Sequence, residues 1–189
     1  FFNTTLNDNG RRFYLRKDTY QSDVFGSLVQ QQITRYSGDD KPFFFWVNYV
    51  APHHGSPDEP DDPRAIRRSD GEYTRLVTTA RPERVKGDFD GVIKRAPGAA
   101  GEATVNDKPA FIRRLPQLND PERRGLVEVT RQRAEALKTV DEQIPGTLRA
   151  LTRTGELSKT LIMFTSDNGF LLGEHRLRMG KIWSYEESI

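Results

Sequence analysis

The chain has 189 residues, of which 35% are hydrophobic and 30% charged, with a formal net charge of +2 and no cysteine. This length suits one domain with a real core. The small charge gives no basis for nucleic acid or an anionic membrane as partner, and the missing cysteines exclude disulfides, thiolate metal sites and a cysteine nucleophile within the chain.

The opening TTLNDNGRRFYL places two β-prone flanks around Asn9-Gly10, a pair that tolerates the positive φ of a tight turn, and predicts a two-stranded hairpin. TYQSDVFGSLVQQQITRY follows, with Val24, Leu28 or Val29, and Ile33 at helical spacing and Thr19 or Ser22 as N-cap. After the turn signal Ser37-Gly38-Asp39-Asp40 comes FFFWVNYV, a continuous apolar run that reads as a central strand buried on both faces, with Phe43 to Trp46 in the core.

From Ala51 to Leu118 Pro, Gly, Asp and Arg dominate; this long excursion is expected to pack as irregular structure over a site. Leu126, Val129, Leu137, Val140, Ile144, Leu148 and Leu151 then predict a helix, reset near Ile144 by Pro145 and ended by Gly155. Its arginines Arg123, Arg124, Arg131 and Arg133 read as a solvated face. TLIMFTSD is a second strand of the buried kind. Strand, long connection, helix, strand is the order of a βαβ unit, so the expected fold class is α/β, with a mostly parallel sheet flanked by helices.

Ligands of such sheets bind beyond the carboxyl ends of the strands. There the first strand offers His53 and His54, whose imidazoles suit donation to an anionic substrate or protonation of a leaving group. The second offers Asp167, Asn168 and Gly169. Asp167 and Asn168 carry the hard oxygens that calcium or magnesium prefers, and Gly169 lets the chain turn so that both reach one ion. On spacing alone Asp-Asn-Gly reads more readily as a strand-ending turn, and two ligands are short of the ~6 such ions take. His175, Arg176, Arg178 and Lys181 make the following loop cationic, as a phosphate or sulfate ester beside a metal ion requires.

FTSDNGFLLGEHRL, Gly180-Lys181, YEESI and KPFFFWVNYVAPH, with TVDEQI, TGELSKTLIMFTSDNG and NDKPAFIRRL in order beside them, resemble the sulfatase family of the alkaline phosphatase-like superfamily. APH and DKPAFIRR look most like bacterial enzymes similar to glucosamine 6-sulfatases; residues 55–105 contribute least.

The resemblance implies an alkaline phosphatase-like fold, here incomplete, and hydrolysis of sulfate esters by a formylglycine beside Ca2+. It implies Asp167 and Asn168 as metal ligands, His53 as the histidine on the sulfate and acid to the leaving group, and Lys181 near the sulfate. His175 lies in a loop facing substrate, and His54 is a further substrate-binding candidate. The C/S-x-P-x-R motif that supplies the formylglycine does not occur: Ala80-Arg81-Pro82-Glu83-Arg84 has its Pro and Arg but no oxidisable residue. The first pair of acidic calcium ligands is missing too.

The expectation is therefore an internal piece, 1–189, of a sulfatase catalytic domain. It would lack the N-terminal nucleophile segment and the C-terminal subdomain and be inactive alone. The parent would act on a sulfated carbohydrate or other sulfate ester, with no nucleic-acid or membrane partner, and be secreted or periplasmic. The alternatives are a phosphoesterase or phosphonate hydrolase of the same superfamily, or a non-catalytic calcium- or glycan-binding module.

Overall fold

A computed structural model describes residues 1–55 and 58–189. The chain divides into two compact units. The first comprises Phe1–Ser56, Thr79–Lys86 and Arg133–Met163; the second comprises Pro57–Thr78, Gly87–Gln132 and Phe164–Ile189.

In the first unit β1 (Thr5–Asp8) pairs antiparallel with β2 (Arg11–Tyr14), and Asp8 faces Arg11 across the expected Asn9-Gly10 turn. Asn9 and Gly10 have φ of 51° and 93°, the two positive values that a type I′ turn needs. Helix α1 spans Gln21–Tyr36. The N-cap expected at Thr19 or Ser22 is corrected to Tyr20, which offers no side-chain cap, while Ser22 is buried inside the first turn. Burial of Tyr20 fixes the helix entry instead: its hydroxyl donates to the Ala80 carbonyl at 2.9 Å and its ring stacks on Phe1.

The long helical pattern forms α3 (Asp120–Asp141) and α4 (Ile144–Arg153), with Pro145 in the first turn of α4, where its missing N–H costs nothing. Gly155 closes α4 at φ 75°. Its N–H donates to Thr152 O and that of Glu156 donates to Leu151 O, the paired bonds of a Schellman stop. Helices α1 and α4 pack closely around Ile33, Ala150 and Leu151. The approach is close: a Cβ at Gly26 would displace the Gln143 side chain and one at Gly146 the Gln30 side chain.

The second unit holds the start of α3 and most of the excursion, which is irregular but packed. It forms a small ribbon, β3 (Ile66–Arg67) with β4 (Tyr73–Thr74), and a single turn α2 (Ala110–Arg113). Leu76, Ala96 and Leu118 bury against Leu126 and Val129 of α3 and Leu172; Val105 and Ile112 bury against Leu171 and Leu177.

Helix α3 departs from the expected apolar stripe. Leu126, Val129 and Val140 are buried, but so are Glu122, Gln132, Glu135 and Thr139, whereas Leu137 and, in α4, Leu148 are exposed. Polar burial is tolerated because partners are supplied: Glu135 pairs with the buried Arg81 Nε at 2.5 Å, and Thr139 donates to Ala136 O. The arginine face is likewise not simply solvated. Arg131 donates to Ile93 O and Arg133 to Pro52 O, at 3.0 and 2.9 Å, and only Arg124 is exposed.

Neither apolar run forms a strand. Among the described residues the only sheets are the two short antiparallel ribbons, and the expected parallel sheet is not formed. Residues 43–50 alternate: Phe43 and Phe45 pack on the α1–α4 core, while Phe44 and Trp46 are 84% and 79% exposed. The expectation that Phe43 to Trp46 are all core is thus corrected for Phe44 and Trp46. In the second run Leu161 and Met163 are 85% and 82% exposed. A strand buried on both faces needs neighbours that accept its backbone bonds, and none of the described residues provides them. No helix among them is long and apolar enough to cross a membrane.

Replacing Glu135 with Ala leaves Arg81 in the interior without its carboxylate and lowers the unfolding free energy by about 3 kcal/mol, as for other broken buried pairs. Urea denaturation measures this, and the double variant Arg81→Met, Glu135→Leu should regain most of the loss.

Candidate functional site

Of the six sequence candidates, Asp167, Asn168, His175 and Lys181 belong to the second unit and His53 and His54 to the first. The segment after Met163 turns at Asp167, which is exposed, and Asn168 beside it is half-buried. Ser166 Oγ donates to Asn168 O at 2.8 Å, and Asn168 Nδ2 donates to Gly169 O at 2.7 Å. These bonds orient the amide. Its Oδ1 then receives Lys181 Nζ at 3.4 Å, so two residues thirteen positions apart meet.

The meeting is produced by the backbone. Leu171 N–H donates to Gly180 O at 2.8 Å, an antiparallel bridge that closes residues 171–180 into a loop and returns Lys181 beside Asn168. Gly169 is required there because a Cβ would overlap the Glu187 carbonyl. Within the loop His175 and Arg176 have φ of 53° and 59°, left-handed values that cost energy for residues with a Cβ. Arg176 offsets that cost by donating to the carbonyls of Glu102, Ala103 and Leu115 at 3.1, 2.9 and 3.1 Å.

His175 makes its polar contacts with two carboxylates the sequence reading did not single out. Its Nδ1 lies 3.0 Å from Glu102 Oε2 and its Nε2 3.5 Å from Glu187 Oε2, with Tyr185 against the ring. The bond to His175, and then Lys108 at 3.1 Å, hold the Glu102 carboxyl below the usual carboxylate range. No sequence signal joins residues 102, 175 and 187.

In the first unit the exposed rings of His53 and His54 stack at 4.3 Å. His53 Nδ1 faces His54 O at 2.7 Å; a carbonyl only accepts, so Nδ1 carries the hydrogen and Nε2 faces outward. Arg133 holds the Pro52 carbonyl just before this pair, and burial lowers its pKa to about 10.

A model of the sulfatase family matches residues 2–189. The chain belongs to the sulfatase family. It is 30% identical over 189 residues to an arylsulfatase of Volvox carteri, covering 99% of this chain and 28% of that protein. It is 27% identical over 195 residues to a putative extracellular sulfatase Sulf-1 homolog of Caenorhabditis elegans, covering 100% of this chain and 24% of the relative. A 48-residue stretch, 25% of this chain, is 50% identical to 8% of an N-acetylglucosamine-6-O-sulfatase of Bacteroides thetaiotaomicron. The chain thus spans less than a third of the length of these relatives. No solved structure matches it.

The sulfatase chain's donor set is compatible with the calcium that the resemblance implies. Asp167 and Asn168 bear hard oxygens, and Asn168 Oδ1 already faces a cation, the Lys181 ammonium. They supply two oxygens of the ~6 or more such an ion takes.

The depressed Glu102 carboxyl makes stability pH-dependent with a definite sign. Its contribution is present above the unfolded value of ~4.3 and is lost as pH falls through the lower folded value. Thermal melts of Glu102→Gln should therefore lie below those of the unmodified protein at pH 5–7, and the two should converge as pH falls towards 3.

Proposed function

We propose that the chain is the part of a sulfuric ester hydrolase that holds the metal and the sulfate, and that its parent desulfates a sugar or polysaccharide. The carrying observation is the contact between Lys181 Nζ and Asn168 Oδ1: an ammonium and a metal-type oxygen converge at one place in a chain matched to the sulfatase family over residues 2–189. A sulfated carbohydrate is favoured because one relative is named N-acetylglucosamine-6-O-sulfatase, and secretion because another is named an extracellular sulfatase. The alkaline phosphatase-like parallel sheet is part of the same proposal, with the runs 43–50 and 160–167, which pair with no strand among the described residues, as its strands in the intact protein.

Each residue has a role that follows from its chemistry. Asp167 and Asn168 would hold Ca2+, which when bound draws a sulfate oxygen and offsets its charge. Lys181 neutralises charge on the sulfate and on the oxygen of the departing alcohol. His53, with Nδ1 committed to a carbonyl, presents Nε2 and in its protonated form gives that proton to the leaving oxygen. His54, stacked on His53, limits its ring to one orientation and faces substrate, as does His175 from its loop. The attacking group is not among these residues, and in this reading it comes from a formylglycine outside the 189. A phosphoesterase of the same superfamily, or a calcium- or glycan-binding module without turnover, would keep the same metal pair.

Steady-state hydrolysis of a chromogenic aryl sulfate and of glucosamine 6-sulfate by the intact protein tests the reading. His53→Ala and Lys181→Ala should each lower kcat/KM by ~10²–10⁴, the usual loss of a proton donor or a charge-stabilising group. The 189-residue chain alone should give no turnover. Sulfate ester hydrolysis by that chain, or preference of the intact protein for a phosphate ester, would overturn it.

A further inference from the structure

His53 is exposed, yet a proton donor must hold one orientation to reach a leaving oxygen. Part of that orientation is local. His53 N–H donates to Val50 O at 2.8 Å and His53 Nδ1 to His54 O at 2.7 Å, which fixes the ring relative to the backbone of residues 50–54. Both bonds are internal to the turn, so the turn itself needs an anchor.

Helix α3 supplies it within the same unit. Ala51 is buried with Ala136 and Val140 in one apolar cluster, and Arg133 donates from Nη1 to Pro52 O at 2.9 Å. Positions 133, 136 and 140 follow steps of three and four and share one helix face. Residues 51 and 52 are therefore pinned side by side to that face, one by apolar contact and one by a charged donor. The Pro52 carbonyl and the His53 N–H belong to the same planar peptide group. Arg133 bonds its oxygen and Val50 bonds its N–H, so the plane that leads into His53 is held at both polar ends. A guanidinium makes a stronger bond to that oxygen than a neutral donor would. It is kept there against desolvation, which lowers the Arg133 pKa to about 10 and still leaves the group charged at neutral pH.

We propose that Arg133 is the positioning residue for His53: by fixing the Pro52–His53 peptide from α3, it aims the outward Nε2 at the leaving oxygen. This rests on the reading of His53 as proton donor. Arg133 acts through His53, so its contribution to turnover exists only while the imidazole is present.

A double-mutant cycle on the intact protein, with an aryl sulfate as substrate, tests that dependence. Arg133→Met, which removes the donor but keeps an unbranched side chain, should lower kcat about tenfold with KM within about twofold, because alignment is lost and substrate contact is not. In the His53→Ala background the same substitution should change kcat by less than about twofold, since coupled residues do not add. Arg133→Lys keeps a cation but loses the planar fork and should cost about threefold, again only with His53 present; it carries the cycle by itself should Arg133→Met fail to fold. Equal losses in both backgrounds, or an unmodified kcat in either folded variant, would overturn the role of Arg133 and leave that of His53 standing. An unchanged kcat in His53→Ala alone would remove the reading of His53 and this inference with it.

Discussion

Glu122 is the residue on which the arrangement of the second unit turns. It is wholly buried and makes two kinds of contact at once. Its Oε2 accepts the Asn119 N–H at 2.8 Å while Asn119 Oδ1 accepts the Glu122 N–H at 3.0 Å, a reciprocal cap on the start of α3. Its Oε1 accepts Arg178 Nε at 2.8 Å, and Arg178 Nη1 continues to Arg176 O at 2.8 Å. The helix start and the 171–180 loop are thereby joined through one carboxylate. A buried ion pair gains little net stability, because desolvation offsets most of the attraction, but its loss leaves a charge unpaired in the interior. What the pair supplies is position: Lys181 follows three residues after Arg178.

The same economy recurs along α3, where polar groups occupy inward positions. The 3.6-residue period located the helix, its break at Pro145 and its stop at Gly155. It misassigned Leu137, because periodicity counts only apolar residues and gives no place to a buried Glu135 or Gln132 whose partners lie far off in sequence. Arg81 is 54 positions from Glu135. Charge in a helix reads as surface unless its counter-charge is known to arrive, which explains why Arg131 and Arg133 were assigned to solvent.

Local chemistry made the Asn9-Gly10 hairpin legible, since the positive φ values it needs are properties of those two residues. The apolar runs FFFWVNYV and TLIMFTSD were legible as extended and apolar, but their burial was not. Phe43 and Phe45 find α1 and α4, whereas Phe44 and Trp46 point away from that core into solvent. Whether a strand is central depends on other strands, and no pattern within eight residues specifies them. Clusters of exposed aromatic and aliphatic groups of this kind are unusual on a protein surface.

The candidate site was legible in part for a similar reason. Asp167, Asn168 and Lys181 stand out by residue type, and the contact between Asn168 and Lys181 follows from one backbone bridge whose glycine, Gly180, sits at φ 148°. His175 was legible as a loop histidine but not in its surroundings, since Glu102 and Glu187 approach from either side of it in sequence. A histidine between two carboxylates is oriented by them. The carboxylates thus limit how far His175 can turn: to face any other partner it must leave at least one of them.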